Sequence, residues 1–202
     1  VTACVPRNKV SDYYEVCKQW EKETKLTLEY AEYKMMAIAN VNNYIAVYTN
    51  GEVKTKGRYE VAHFEKLGWS KDHSAMIVPK AAMEYIVNGT PIAKTIREDE
   101  DPFNFCLRVK VPRSSKLVLV KDDKEYTQQN ICRYYPSLDG GKLMKWMPPL
   151  EKGGDWRKLG IDTEYDVSVC NDMDDFNWSN LNYDYFINEA QKLVDGVTGS
   201  PF

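Results

Sequence analysis

The sequence predicts an α+β fold: an antiparallel sheet with a packed helix, followed by a mixed helical and β subdomain. Three observations carry this. Residues 28–58 alternate as long strands around Asn50-Gly51, a pair that favours a tight hairpin turn. Helical spacing of apolar residues is confined to 11–24, 78–97 and 181–194, separate from the strands. From Phe103 to Lys145 the pattern changes to short strands punctuated by Asp122-Asp123 and Asp139-Gly140-Gly141. Strand runs segregated from helix runs make layers of the α+β kind.

Taken in order, Val1 to Pro6 has the composition of a short strand. It starts abruptly, without a cap or turn, as in a chain that continues upstream. Ser11 or Asp12 can cap a helix through about Thr24. Tyr13, Val16, Cys17 and Trp20 then share one face, expected to be core. Lys25 to Ala39 is expected to be mostly strand, and Val41 to Arg58 completes the sheet through the Asn50-Gly51 turn. On the returning strand Lys54, Lys56 and Arg58 point to one face and Val53 and Thr55 to the other. Such a basic ladder, ending at Gly57 where a backbone can be approached closely, suits a polyanion. The same pattern equally describes a solvated edge strand guarded by lysines.

Tyr59 to Asp72 is expected to leave the sheet as helix or loop, with a polar junction at Trp69–Ser74. Val78 to Val87 is a helix with Pro79 in its first turn, stopped by Asn88-Gly89. Thr90 can cap a second helix through Arg97, and Glu98 to Asp101 is an acidic loop closed by Pro102. Phe103 to Val111 alternates as a half-buried strand with Arg108 and Lys110 outward. Hairpins are expected about Asp122-Asp123 and Asp139-Gly140-Gly141, then a connecting loop through Pro148-Pro149 and Gly153-Gly154. A short strand at Asp166–Cys170, an amphipathic helix at Leu181–Val194 and a frayed tail from Gly196 end the chain.

With 202 residues the chain is long enough for one large domain or two small ones with a real core. Net charge is −3, so the whole molecule is not a basic polyanion binder. The distribution is uneven: bases dominate between Cys106 and Met147, and acids dominate from Glu151 onward. That suits one face toward nucleic acid and one away from it, and equally chance segregation in a folded domain. Cys4, Cys17, Cys106, Cys132 and Cys170 show no ligand spacing, and are expected as buried reduced thiols of a cytoplasmic protein. No apolar run reaches membrane-spanning length and no signal peptide is evident, so no membrane partner is expected.

Familiar catalytic motifs are missing from these residues: no GxGxxG, phosphate loop, nucleophile elbow or HExxH. The only histidines are His63 and His73. Asp172, Asp174 and Asp175 form part of a cation loop, without the glycine and distal glutamate of an EF-hand. Glu29 and Glu32, three apart in a strand, would face opposite ways and cannot act on one another as an acid/base pair.

In order, LEYAEYKMMAIANVNNYIAVYTNGEVKTKGRYE resembles the part of a family B DNA polymerase palm that follows the catalytic YGDTDS turn, the phage replicative enzymes above all. Leu28-Glu29 matches the family's LExE-type strand. Asn42-Asn43-Tyr44 stands where its KRY motif falls, and Lys56-Gly57 matches its K/R-G step. Lys71-Asp72, with Ser74, resembles the junction opening into the thumb. VPKAAMEYIVNGTPI, VPRSSKLVLV and QNICRYYPSLDGGKLMKWMPP resemble a phage-type thumb. The resemblance implies a palm remnant at 1–75 and a thumb at 76–202, with helices at 78–97, a basic β subdomain at 103–147 and a terminal strand and helix at 165–195.

By the same resemblance, the partners are primer–template DNA and the remainder of the polymerase chain, in the cytoplasm of a host cell if viral. The aspartates that hold two Mg²⁺ ions in this family are not in this chain, so no cofactor is implied for it and no catalysis by it alone. The KRY lysine is replaced by Asn42. Asn42, Asn43 and Tyr44 would approach primer bases from the minor groove, where reading is largely sequence-blind. Lys54, Lys56, Gly57, Arg58 and Lys71 would lie along primer phosphates. Arg108, Lys110, Arg113, Arg133, Lys142 and Lys145 would be thumb phosphate contacts, which position without specifying. Two alternatives stand beside this: a free-standing, non-catalytic DNA-binding or protein-interaction module of the same ancestry, and an unrelated hydrolase built on the Asp172 cluster.

Overall fold

A computed structural model describes residues 3–61 and 75–198. Among the described residues four helices, α1 (Val10–Thr24), α2 (Ile77–Asn88), α3 (Ile92–Glu98) and α4 (Tyr183–Thr198), accompany two antiparallel sheets, so the chain is α+β. The first sheet has the order β1 (Tyr33–Asn40), β2 (Asn43–Tyr48), β3 (Val53–Lys56). The second contains β4 (Leu107–Lys110), β5 (Lys116–Lys121), β6 (Lys124–Gln128), β7 (Ile131–Ser137), β8 (Gly141–Met147) and β9 (Arg157–Val169). Its spatial order is β4-β7-β9-β8-β5-β6. Residues 3–6 are irregular rather than a strand. Lys71, His63, His73 and the Trp69–Ser74 junction lie outside the described residues.

Helix α1 forms where expected but does not bury its aromatic stripe. Of that stripe only Cys17 is buried, while Val16 is 65% exposed and Tyr13 and Trp20 are also exposed. The helix is tied instead to the segment after it. Tyr14 donates to Glu32, and Glu21 Oε1 accepts from the Leu28 amide at 2.6 Å. Lys25, left-handed at φ 62°, closes the helix with its N–H on the Glu21 carbonyl. That reversal leaves residues 25–32 irregular, so the first strand begins only at Tyr33. Glu29 and Glu32 therefore sit in coil rather than on a strand.

The first sheet is two hairpins. Val41 belongs to the turn between β1 and β2 rather than to a strand, and Asn40 Oδ1 holds that turn by accepting from the Asn42 amide and Asn43 Nδ2. The loop after β2 has three residues, not two. The Tyr48 amide bonds the Glu52 carbonyl, the Gly51 amide bonds the Tyr48 carbonyl, and only Gly51, at φ 95°, is left-handed. A turn followed by a left-handed glycine is the usual three-residue hairpin. The strand ladder stops at Lys56. Arg58 belongs to a 3₁₀ turn, Gly57–Tyr59, and so does not continue the lysine alternation. Tyr59 is buried and donates to the Leu193 carbonyl of α4 at 2.8 Å, fastening this sheet to the helices.

Pro79 lies in the first turn of α2, where no N–H is needed, and Gly89 at φ 71° ends the helix. Pro91, extended, occupies the cap of α3 that Thr90 was expected to fill. Ala81 and Ala82 are small enough for α4 to pack closely on α2. Phe186, Ala190 and Val194, at helical spacing, form the buried face of α4. Phe105 anchors this layer, edge-on to Phe186 at 5.2 Å. It lies in a 3₁₀ turn, Pro102–Phe105, capped by Asp101, so the strand predicted from Phe103 starts at Leu107.

The second sheet differs from expectation at its centre. Asp122 and Asp123, both left-handed at φ 49° and 58°, close the β5–β6 hairpin as expected. The turn at Asp139-Gly140-Gly141 joins β7 to β8, yet these strands do not pair. β9 lies between them and bonds both. It is also 13 residues long rather than five, with pairing irregularities about Leu143. Val111, Leu117, Cys132, Tyr134, Leu143 and Val167, all from the sheet or its connections, form a second core at 0–5% exposure. Among the described residues this cluster draws only on the sheet and its connections. The sheet's other face at β4, β7 and β9 is covered by the helical layer through Tyr135, Cys106 and Cys170.

Candidate nucleic-acid interface

The outward face of the three-stranded sheet follows from register. Residues directly opposite one another in an antiparallel pair share a face. Tyr44 lies opposite Lys56, Ala46 opposite Lys54, and Tyr33 opposite Tyr48. Ile45 and Val47, on the other face, are buried. The outward face therefore gathers three half-buried tyrosines and two exposed lysines about Ala46, with half-buried Met36 and exposed Ile38 beside them from β1. Ala46 is itself 0% exposed, so the larger side chains close over it. The Tyr33 and Tyr48 rings stand 4.7 Å apart with planes 33° from parallel. Lys56 Nζ lies 6.0 Å from the centre of the Tyr44 ring.

The electrostatics of this face keep Lys54 charged. The neighbouring phenols of Tyr33, then Tyr44 and Tyr48, raise its pKa above the ordinary lysine value. The Tyr33 hydroxyl is raised by its hydrogen bond to Tyr48 and by burial, against a smaller opposite pull from Lys54. Among the described residues neither Lys54 nor Lys56 has a carboxylate partner. Tyr33 and Tyr48 are additions the sequence reasoning missed. Tyr48 was findable, since it stands four residues from Tyr44 and so on the same face of a strand. Tyr33 was not, because its partner is set by pairing irregularities within β1.

The neighbouring residues serve mainly as a clasp. Asn42 is exposed in its turn, with its amide on Asn40. Asn43 donates to Asn40 and accepts from the Arg58 amide at 3.0 Å, binding the β1–β2 turn to the end of β3. Gly57, at φ 66°, sits so close that a Cβ there would collide with the Asn42 carbonyl and the Asn43 carboxamide. A close approach at Gly57 is thus made by the chain's own backbone and the Asn43 side chain. Arg58 projects into solvent beside this clasp.

The six cations assigned to the β lobe do not form one track. Arg133 is 3% exposed, its guanidinium 4.5 Å from the Phe103 ring, and burial lowers its pKa. It is a core residue here, not a surface phosphate contact. Arg108, opposite Arg133 in the ladder, is half-buried, while Lys110 and Arg113 are exposed where β4 ends. Lys142 pairs with Asp166 at 3.0 Å. Lys145, opposite Leu117 and Leu159, shares the face of the sheet's own core cluster, whereas Lys142, opposite Val120, lies on the other face. Lys121 and Lys158 are likewise paired, with Asp139 and Glu125.

Of the other candidates, Asp172 caps a 3₁₀ turn by accepting from the Asp174 amide. No group of three or more histidine, cysteine or acidic side chains among the described residues could hold a metal ion. Cys17, Cys106, Cys132 and Cys170 are buried free thiols, and Cys4 is exposed. No helix among the described residues is long and apolar enough to cross a membrane. Comparison with protein-family models, with curated proteins and with solved structures gave no match to this chain.

Proposed function

We propose that this chain is a nucleic-acid-binding palm and thumb portion of a family B DNA polymerase, gripping primer–template DNA in replication without catalysing nucleotidyl transfer by itself. The order of motifs supplies the family. The observation that carries the binding is Lys54 and Lys56, exposed on one rigid sheet face and paired with no carboxylate among the described residues. Ammonium groups fixed in this way neutralise phosphates at no cost in broken ion pairs. Arg58 extends the row at its edge. The lobe then acts mainly as scaffold, with Lys110 and Arg113 as its exposed outposts.

The test is a salt titration of primer–template binding. Neutralising two or three phosphates should give a slope of log K against log salt of about −2 to −3. Lys54→Ala with Lys56→Ala should weaken binding alike for all sequences. Binding that ignores salt, or primer extension by the chain alone with Mg²⁺, contradicts the proposal.

One observation favours a second reading, a protein-interaction module of the same ancestry: the exposed Tyr13, Val16 and Trp20 on α1, continued by Leu26 and Tyr30. The coding sequence upstream separates the two. Continuation into a DTDS-type motif supports the polymerase, and a start codon near residue 1 supports the module.

A further inference from the structure

We infer that the face of the three-stranded sheet is a stacking platform for unpaired nucleotides, taking the single-stranded part of a primer–template rather than its duplex. The inference rests on the nucleic-acid reading of this face and names the form of ligand it takes.

A duplex offers phosphates outward and hides its bases. Against that ligand lysines would suffice and tyrosines would be idle. This face alternates the two. Tyr44 and Tyr48 are four residues apart on β2, about 14 Å at ~3.4 Å per residue. Tyr33 stacks beside Tyr48 from the next strand. Lys54 and Lys56 flank the same row from β3, opposite Ala46 and Tyr44. An aromatic site thus lies at each end of the row, with ammonium groups alongside. At ~3.4 Å per nucleotide in a stacked strand, the row spans about four nucleotides, and fewer if the strand is extended. Bases of any identity can stack on phenol rings while the ammoniums track the backbone, which is how sequence-tolerant single-strand sites work. The buried Ile45 and Val47 on the reverse face keep the platform stiff.

Register places one acid on this face, Glu52 opposite Tyr48 at the hairpin end, yet among the described residues neither lysine is paired with a carboxylate, and the raised pKa of Lys54 keeps its charge across the physiological range. The rings are half-buried rather than sunk in the core, so an edge or a face of each remains open.

The test compares three probes on the 202-residue chain: a short oligothymidylate, an abasic strand of equal length, and a blunt duplex. Oligothymidylate should bind roughly tenfold tighter than the abasic strand for each base engaged. Tyr44→Leu with Tyr48→Leu should remove that advantage and leave affinity for the abasic strand unchanged, which also shows that the variant is folded. Equal affinity for the thymidylate and abasic strands, or no effect of the leucine pair, overturns the stacking inference and leaves phosphate binding standing. Failure to bind any of the three probes overturns the nucleic-acid reading itself.

Discussion

The two sheets carry lysines on their strands at similar density and use them differently. In the three-stranded sheet, Lys54 and Lys56 face solvent among tyrosines and, among the described residues, pair with no carboxylate. In the six-stranded sheet, Lys121, Lys142 and Lys158 meet Asp139, Asp166 and Glu125 at 2.9–3.3 Å. A basic stretch of sequence is therefore not a basic surface. Asp166 belongs to the acidic end of the chain, and β9 carries that end back into the basic lobe. Such exposed pairs add only about 0–1 kcal/mol of stability each. They nevertheless cancel the field that a phosphate backbone would feel.

The comparison breaks most readily at the scaffold. Phe186→Ala should cost about 3–5 kcal/mol, because it opens a cavity beside Phe105 in the layer that holds the helices to the large sheet. Urea unfolding measures it. The Lys54→Ala, Lys56→Ala double variant should unfold within about 0.5 kcal/mol of the parent, as surface changes do. A large stability loss there would mean that these lysines are structural.

Gly57→Ala comes next, at about 1–3 kcal/mol, since it forces a left-handed alanine against the Asn42 carbonyl. If the clasp sets the lysine row, DNA affinity should fall with it. Stability unchanged in urea would show that the clasp is loose.

Alkaline pH provides a third probe. Burial, the main cause, pushes the Cys132 thiol up to about 11 from 9.0. The unfolded chain thus loses this proton first as pH rises. Its contribution to stability is complete below pH 9 and is lost between about 9 and 11. Unfolding midpoints across that window should fall more steeply for the parent than for Cys132→Ala. Equal slopes would contradict the burial.

The smallest effect sharpens the contrast. Asp166→Asn releases Lys142 and should change stability by under about 1 kcal/mol, while raising DNA affinity slightly at low salt. Lower affinity would show that Asp166 aids binding.

Much of the first sheet was legible from its residues. β-branched and aromatic runs, Asn-Gly and alternating lysines mark β2 and β3, although the strands stop short of Val41 and of Arg58. The β5–β6 hairpin follows from Asp122-Asp123, whose short polar side chains tolerate left-handed backbone. Three things were not legible. Helix α1 has the periodicity of a core helix, but periodicity does not say whether a layer exists for it to cover. Residues 157–165 mix charges, a glycine and few apolar side chains, so nothing local marks a strand lying between two others. Arg133 looks like any surface cation until Phe103 and the helical layer close over it. Of the candidate site, the lysine face came from alternation alone, whereas the Tyr33–Tyr48 pair and the Asn43–Arg58 clasp depend on contacts between strands.

The most direct measurement is the salt dependence of primer–template binding in two double variants, Lys54→Ala with Lys56→Ala and Lys142→Ala with Lys145→Ala. The account predicts that the first pair lowers the magnitude of the slope by about 2 and the second leaves it unchanged. A slope lost with the lobe pair and kept with the hairpin pair would contradict it.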